Sequence, residues 1–382
     1  MSPSFSMSLR HVVKLGLSHL LVSAIGLCVV PLDVRSQAPN KGTITSACLP
    51  NFPYKEGWLG GDAGYSIALA PGKSVWLFGD SFVRQSPGPT RSGSRFVRNA
   101  IAISTCDEKH GWQINYYWRG HGKQAARAFF DTNNEKYWYW PLDGFVFQKR
   151  LYVTLAQLEN NPNEKIFSFK TAAVVLAKVS NMAAPPDQWR IEYSKLTEGS
   201  TFYPGSTVVV HQKHAYFFVL NEKQRQMILS RVPLEKLDEP AANLQYFAKD
   251  KTWKRGLNGA DALVIIETGH SEMSVRYHPK IKQWVAVTGG DFMSNKIMMR
   301  TAPDLTGPWS QWQAVHEFSE MNPKAVGHDP DTWCYAVKEH IEFASPDKLL
   351  ITYACNSFKF EKQVANMSIY RPKAVLLELP LK

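Results

Sequence analysis

One small event recurs five times along this chain, and the recurrence limits its fold more than any other property. A Gly- or aromatic-flanked polar residue opens a short alternating strand, and a second strand follows after a tight turn. The openings are Gly61-Asp62-Ala63-Gly64-Tyr65-Ser66, Trp140-Pro141-Leu142-Asp143-Gly144, Tyr203-Pro204-Gly205-Ser206, Ser271-Glu272-Met273-Ser274 and Tyr335-Ala336-Val337-Lys338-Glu339-His340. They recur about every 60 to 80 residues, the length of one four-stranded sheet with its loops. Five such sheets in series read as an all-β, five-bladed β-propeller, with the openings directed at one central channel. Five similar hairpins at this spacing favour that reading over a β-sandwich or two smaller β domains.

The first residues differ in kind. Arg10 and Lys14 precede an apolar stretch from Leu15 to Val30, and Ser36-Gln37-Ala38 offers small residues for cleavage. That order describes a secretory signal peptide over residues 1–38, leaving 39–382 as a single propeller domain. The stretch is short for a membrane span and contains His19, so export without stable membrane insertion is expected. Past the leader four cysteines remain: Cys48, Cys106, Cys334 and Cys355. An even number in an exported chain fits disulfides, and Cys334 and Cys355 flank a hairpin across which they can meet. The formal net charge is +11, yet no Lys/Arg run is dense enough for a nucleic-acid stripe. A monomer without a nucleic-acid partner is expected.

Blade 1 reads most cleanly. Tyr65 to Ala70 and Ser74 to Asp80 flank Pro71-Gly72, a strong turn signal, and strands from Asn99 and Trp112 follow. The last blade is one strand short. The segment Thr43–Cys48 is expected to supply the missing strand and close the ring, since an open sheet edge invites unwanted pairing.

The first hairpin is also where chemistry is expected. A turn centred on Gly72 makes Asp80 face Gly64 and places Asp62 diagonally on the same face, roughly 7 Å away. Paired carboxylates are what glycoside cleavage needs: one protonates the leaving oxygen, and the other attacks the sugar or activates water. Asp62 is expected as base or nucleophile, with Asp80 or Glu272 as general acid. Asp143 and Trp140 are expected to orient and stack a sugar, and Arg98, Arg276 and His340 to contact hydroxyls or carboxylates. Each has a plainer reading. The aspartates can cap turns, Trp140 can be core, and His340 can be a buried hydrogen-bonding residue. No residue cluster has trustworthy metal-ligand spacing, so no cofactor is required, although a structural calcium in the channel is compatible with the fold.

Gly60 to Ser66 with Val75 to Phe82, Asn99 to Ala102, Tyr139 to Gly144 and Glu272 to Val275 resemble the domain-of-unknown-function family 4185 over nearly all of the chain past the leader. The resemblance implies a five-bladed propeller, arabinan hydrolysis in some members, and Asp62 and Asp80 as the acidic positions. Ala63 stands where a glycine is expected. Ala302 to Trp309 is similar to a blade-connecting segment of arabinanase-type glycosidases. The expectation is therefore an exported glycoside hydrolase acting on a polysaccharide, such as an arabinan-type furanoside. The alternative is a non-catalytic propeller that binds glycans or a protein.

Overall fold

Five antiparallel sheets follow one another along the chain in the computed structural model. It describes residues 48–380 apart from 85–89, 108, 121–123, 164–167 and 200, so the expected leader and most of the expected closing strand lie outside the described residues. The innermost strands are Trp58–Ala70, Tyr137–Phe147, Phe202–His211, Met273–His278 and Thr332–Glu339. Each pairs antiparallel with the next strand in sequence. The fifth sheet holds three strands, as the sequence suggested, and the third is enlarged to six.

Apolar side chains between neighbouring sheets hold the ring together. Phe145, Phe217, Val275 and their neighbours join blades 2, 3 and 4, and Ile67, Leu77, Val153 and Val175 join blades 1 and 2. Blades 4 and 5 share Val287, Met299, Ile351 and Tyr353. Blades 5 and 1 meet through Phe343 and Leu350 against Trp76 and Phe78. Among the described residues, then, closure is carried by side chains. Arg91 reinforces it: its buried guanidinium donates to the carbonyls of Leu59, Gln363, Asn366 and Ile369 and to the Tyr54 hydroxyl.

Four of the five polar openings lie inside the innermost strands rather than ahead of them, whereas Ser271 and Glu272 precede the strand Met273–His278. In four of the five blades the pairing slips at that point: Gly61 to Tyr65, Pro141 to Asp143, Pro204 to Val208 and Tyr335 to Lys338. These four openings are thus β-bulges, which re-aim side chains and increase local twist. Ala63 and Ala336 take φ of 64° and 59° there, a left-handed conformation that costs an alanine more than a glycine. This is the physical reason a glycine is expected at position 63.

One further expectation changes and another is met. Ala302 to Trp309 does not connect blades. It links the third and fourth strands of blade 4, burying Leu305 and setting Trp309 against Phe218 of blade 3. Both disulfides form, Cys334–Cys355 across paired strands of blade 5 and Cys48–Cys106 between the start of the described chain and blade 1.

Candidate functional site

The register of the first hairpin differs from expectation by two residues, one from a two-residue turn that pairs Ala70 with Lys73 and one from an irregularity between Ala68 and Ala70. Tyr65 pairs with Leu77 and Gly61 with Ser81, so Asp80 does not face Gly64. Between the pairs Ala63–Phe78 and Gly61–Ser81, Asp62 stands alone against Gly79 and Asp80. The bulge therefore leaves Asp62 opposite Gly79 and Asp80, near enough for the Asp80 charge to act on it. Gly79 makes room for this. A Cβ there would lie 2.3 Å from Asp62 Oδ1, well inside contact distance. Gly79→Ala is accordingly expected to displace the Asp62 carboxylate and lower any activity of the site by about 100-fold while thermal unfolding changes little. Unchanged kcat/KM would refute the packing argument.

Each acid has its own holders. Asp62 Oδ2 accepts from the Tyr335 hydroxyl at 2.7 Å and from Tyr370 at 3.5 Å. Asp80 Oδ1 accepts from the Trp140 indole N–H at 2.8 Å, and its Oδ2 from Arg98 at 3.2 Å. Glu272 accepts from the Ala336 amide at 2.6 Å. Burial, the Asp80 charge and the Glu272 charge push the Asp62 carboxyl well above the carboxylate range, against the Tyr335 hydrogen bond. Burial also lifts Asp80 to about 6, although Arg98 and Trp140 favour its ionised form. Glu272 is raised by burial, an effect moderated by the Ala336 amide, Lys338 and Tyr65. The three acids named from the sequence thus form one electrostatic group.

The expected substrate contacts divide. Arg98 lies 44% exposed at the rim over the Trp138 ring, and Trp140 has one edge committed to Asp80 while its ring packs on Phe169. Asp143, Arg276 and His340 are buried and bonded to other side chains of the protein. Asp143 is buried and accepts from Arg276 at 3.3 Å, Thr207 at 2.9 Å, and the amides of Val208 and Gly144. Burial raises its pKa, but Arg276, Lys338 and these amides outweigh that and hold it low. His340 is locked between Ser66 at 2.7 Å and Thr352 at 2.6 Å, and burial drives its pKa well down, leaving it neutral.

These buried groups converge on the axis. Lys338 extends its ammonium to the carbonyls of Leu142 and Ser206 and lies 4.3 Å from the Tyr65 ring centroid. Burial lowers it to about 8, against the pull of Asp143. Tyr65, Asp143, Thr207, Arg276 and Lys338 come one from each blade and make a polar hub. That hub does not fit the calcium expected as compatible with the fold: the lysine ammonium occupies the carbonyls and Arg276 the carboxylate that a divalent cation would need.

Sequence reasoning missed Tyr335, Tyr370 and Lys338. Tyr370 lies beyond every opening motif, and only the fold brings it beside Asp62. Tyr335 and Lys338 stood within the fifth opening, but nothing marked them as partners of acids in other blades. A surface hollow lined by Lys73, Tyr117, Met182 and Trp189 lies at the turn of the first hairpin, at the opposite end from the acids.

The sequence model described as "Domain of unknown function (DUF5005)" matches residues 51–378. That differs from the family 4185 resemblance read from the motifs, which the match does not support, whereas the five-bladed propeller it implied is the observed fold. No protein with a curated description matches the chain. Among solved structures, a "putative hydrolase" from Bacteroides ovatus shares the fold at TM-score 0.66 and 18% identity, over 83% of this chain and 85% of that one. A GH43 β-xylosidase/α-arabinofuranosidase from a compost microbial metagenome aligns at TM-score 0.47 and 12% identity, over 87% and 94%. An exo-β-1,3-galactanase from Phanerochaete chrysosporium aligns at 0.48 and 10%, over 90% and 64%.

Proposed function

Because this chain belongs to the DUF5005 family, whose description names no activity, we propose its function from its own side chains: it is a hydrolase of glycosidic bonds in a polysaccharide. The observation that carries this reading is the bulge that sets Asp62 against Asp80, two carboxyls raised by burial and held by different partners. An arabinan-type furanoside is the first substrate to try, and the expected leader together with two disulfides supports work outside the cytoplasm. No described helix is long and apolar enough to cross a membrane.

The roles follow from the holders, and they reverse the assignment expected from sequence. Arg98 and Trp140 donate to Asp80, which favours the ionised carboxylate that assists attack at the anomeric carbon. Burial and two neighbouring negative charges keep the proton on Asp62, which delivers it to the leaving oxygen as the C–O bond breaks. Glu272 acts on Asp62 through its charge.

Release of reducing ends from arabinan, xylan and galactan tests the reading. Binding of these glycans with no release from any would leave a binding propeller instead. The pH profile is a second test. Activity should fall as the pH drops below about 6, where Asp80 becomes protonated. Removing the Glu272 charge should lower the Asp62 pKa, so Glu272→Gln moves the alkaline limb of kcat/KM to lower pH. An alkaline limb that stays in place, or moves upward, would contradict the assignment.

A further inference from the structure

The tyrosine that holds Asp62 is the inner end of an aromatic row that runs out to solvent. The Tyr335 ring stacks on Trp333 with centroids 4.2 Å apart and planes 19° from parallel. Trp333 in turn lies 5.7 Å from Phe358 at 16°. Phe292, from the loop of blade 4, stands 5.9 Å from Trp333 and 6.3 Å from Phe358. Exposure rises along the row: Tyr335 and Trp333 are half-buried, whereas Phe358 is 51% and Phe292 59% exposed. Strand alternation explains the inner pair, since residues 333 and 335 project from the same face of one strand. Core packing explains Tyr335 but does not explain why Phe358 ends a near-parallel stack while half-exposed, with an exposed Phe292 edge-on beside it at 60° and 74°.

We infer that Trp333, Phe358 and Phe292 form a binding subsite for a neutral sugar ring one or more units away from the bond cleaved at Asp62. The inference rests on the glycoside-hydrolase reading for the position of the cleaved bond and on the row itself for the binding. Flat aromatic faces suit the apolar faces of pyranose and furanose rings. The Asn356 amide, which donates to the Tyr335 hydroxyl at 3.4 Å, brings a polar group to the border of the row. Neutrality follows from the neighbouring charges, which are spent on one another: Lys359 on Asp331 at 3.0 Å, and Lys362 on Asp329 and Asp331 at 2.7 Å each. A uronate would find no free cation among them. Because Tyr335 joins the row directly to Asp62, a glycan bound at Asp62 has a continuous aromatic path along which its chain can lie.

The test uses the full chain and neutral arabino-, xylo- and β-1,3-galacto-oligosaccharides of two to five units. Binding is read by calorimetry and by intrinsic tryptophan fluorescence in an Asp62→Asn background, and hydrolysis is read separately in the wild-type protein. Affinity for at least one series should rise with length. Phe358→Ala and Phe292→Ala should each cost about three- to tenfold for the longer members, the scale of one aromatic contact. Leu376→Ala, an exposed apolar residue of blade 5's outer strand, serves as the control and should change nothing. Both phenylalanines are exposed, so the variants should keep the wild-type melting temperature. Length-dependent binding that survives both substitutions would overturn the subsite even if the wild type hydrolyses glycans. Loss of that binding in a protein that cleaves nothing would keep the subsite and remove the hydrolase reading. No binding by any series would overturn the subsite outright.

Discussion

Asp62→Asn should lower kcat on any hydrolysed glycan by about 100- to 10,000-fold, the usual contribution of a positioned general acid. The amide keeps the shape of the carboxyl and can still accept from Tyr335 and Tyr370, so the bulge should survive. What it lacks is a proton to give to the leaving oxygen. Glycans bearing a good leaving group, such as nitrophenyl glycosides, need less protonation and should lose far less activity than natural linkages. The contrast separates a proton donor from a residue that merely supports the site. Equal losses on both substrates would assign Asp62 a different role, and undiminished activity would remove it from the mechanism. Asp80→Asn is expected to be damaging on both substrates, because assistance to attack is needed whatever the leaving group.

Asp143→Ala should destabilise the protein by about 3–5 kcal/mol, the cost of breaking a buried ion pair from one side. The carboxylate lies 3.3 Å from Arg276 and 3.9 Å from Lys338, and all three side chains are almost fully buried. Removing it leaves the Arg276 guanidinium facing the Lys338 ammonium without the carboxylate between them and strands the Thr207 hydroxyl and the Val208 and Gly144 amides. The charge sign predicts the pH dependence. Asp143 has a lowered pKa when folded, so its contribution is present above the unfolded carboxylate pKa and is lost as acid titrates the folded group. Denaturant unfolding at neutral and at acidic pH should therefore show the gap between wild type and variant narrowing toward low pH. A variant as stable as wild type at neutral pH would mean that the hub contributes nothing to stability. Asp143→Asn retains part of the hydrogen bonding and should fall between the two.

Much of the fold was legible in the sequence because each blade opens with its own local signal. Pro71-Gly72 marked the first turn, and alternation marked the strands on either side. Short-range chemistry of that kind does not depend on distant partners. Register was less accessible. A two-residue turn shifted the pairing by one residue and bulges shifted it further, yet Asp62 still stands against Gly79 and Asp80. The two acids therefore remain neighbours, although not in the register expected of them. Asp143, Arg276 and His340 were harder cases. A charged residue on a strand looks the same in sequence whether it meets a ligand or an opposite charge from another blade. Asp143 and Arg276 are 133 residues apart, and only ring closure makes them partners. Tyr335 and Tyr370 reach Asp62 across 273 and 308 residues for the same reason.

The hub also bears on how such a protein can change over generations. Propellers can vary by gaining or losing whole repeats, because each repeat packs mainly on its neighbours. Here every blade gives one distinct side chain to a shared centre, and no two of the five are interchangeable. A duplicated blade would bring a second Thr207 or a second Arg276 to an axis with no partner for it, and a deleted one would strand a charge. The outer strands and rim loops carry no such obligation and are free to drift. The number of blades is thereby fixed by chemistry at the axis, while diversification is left to the rim.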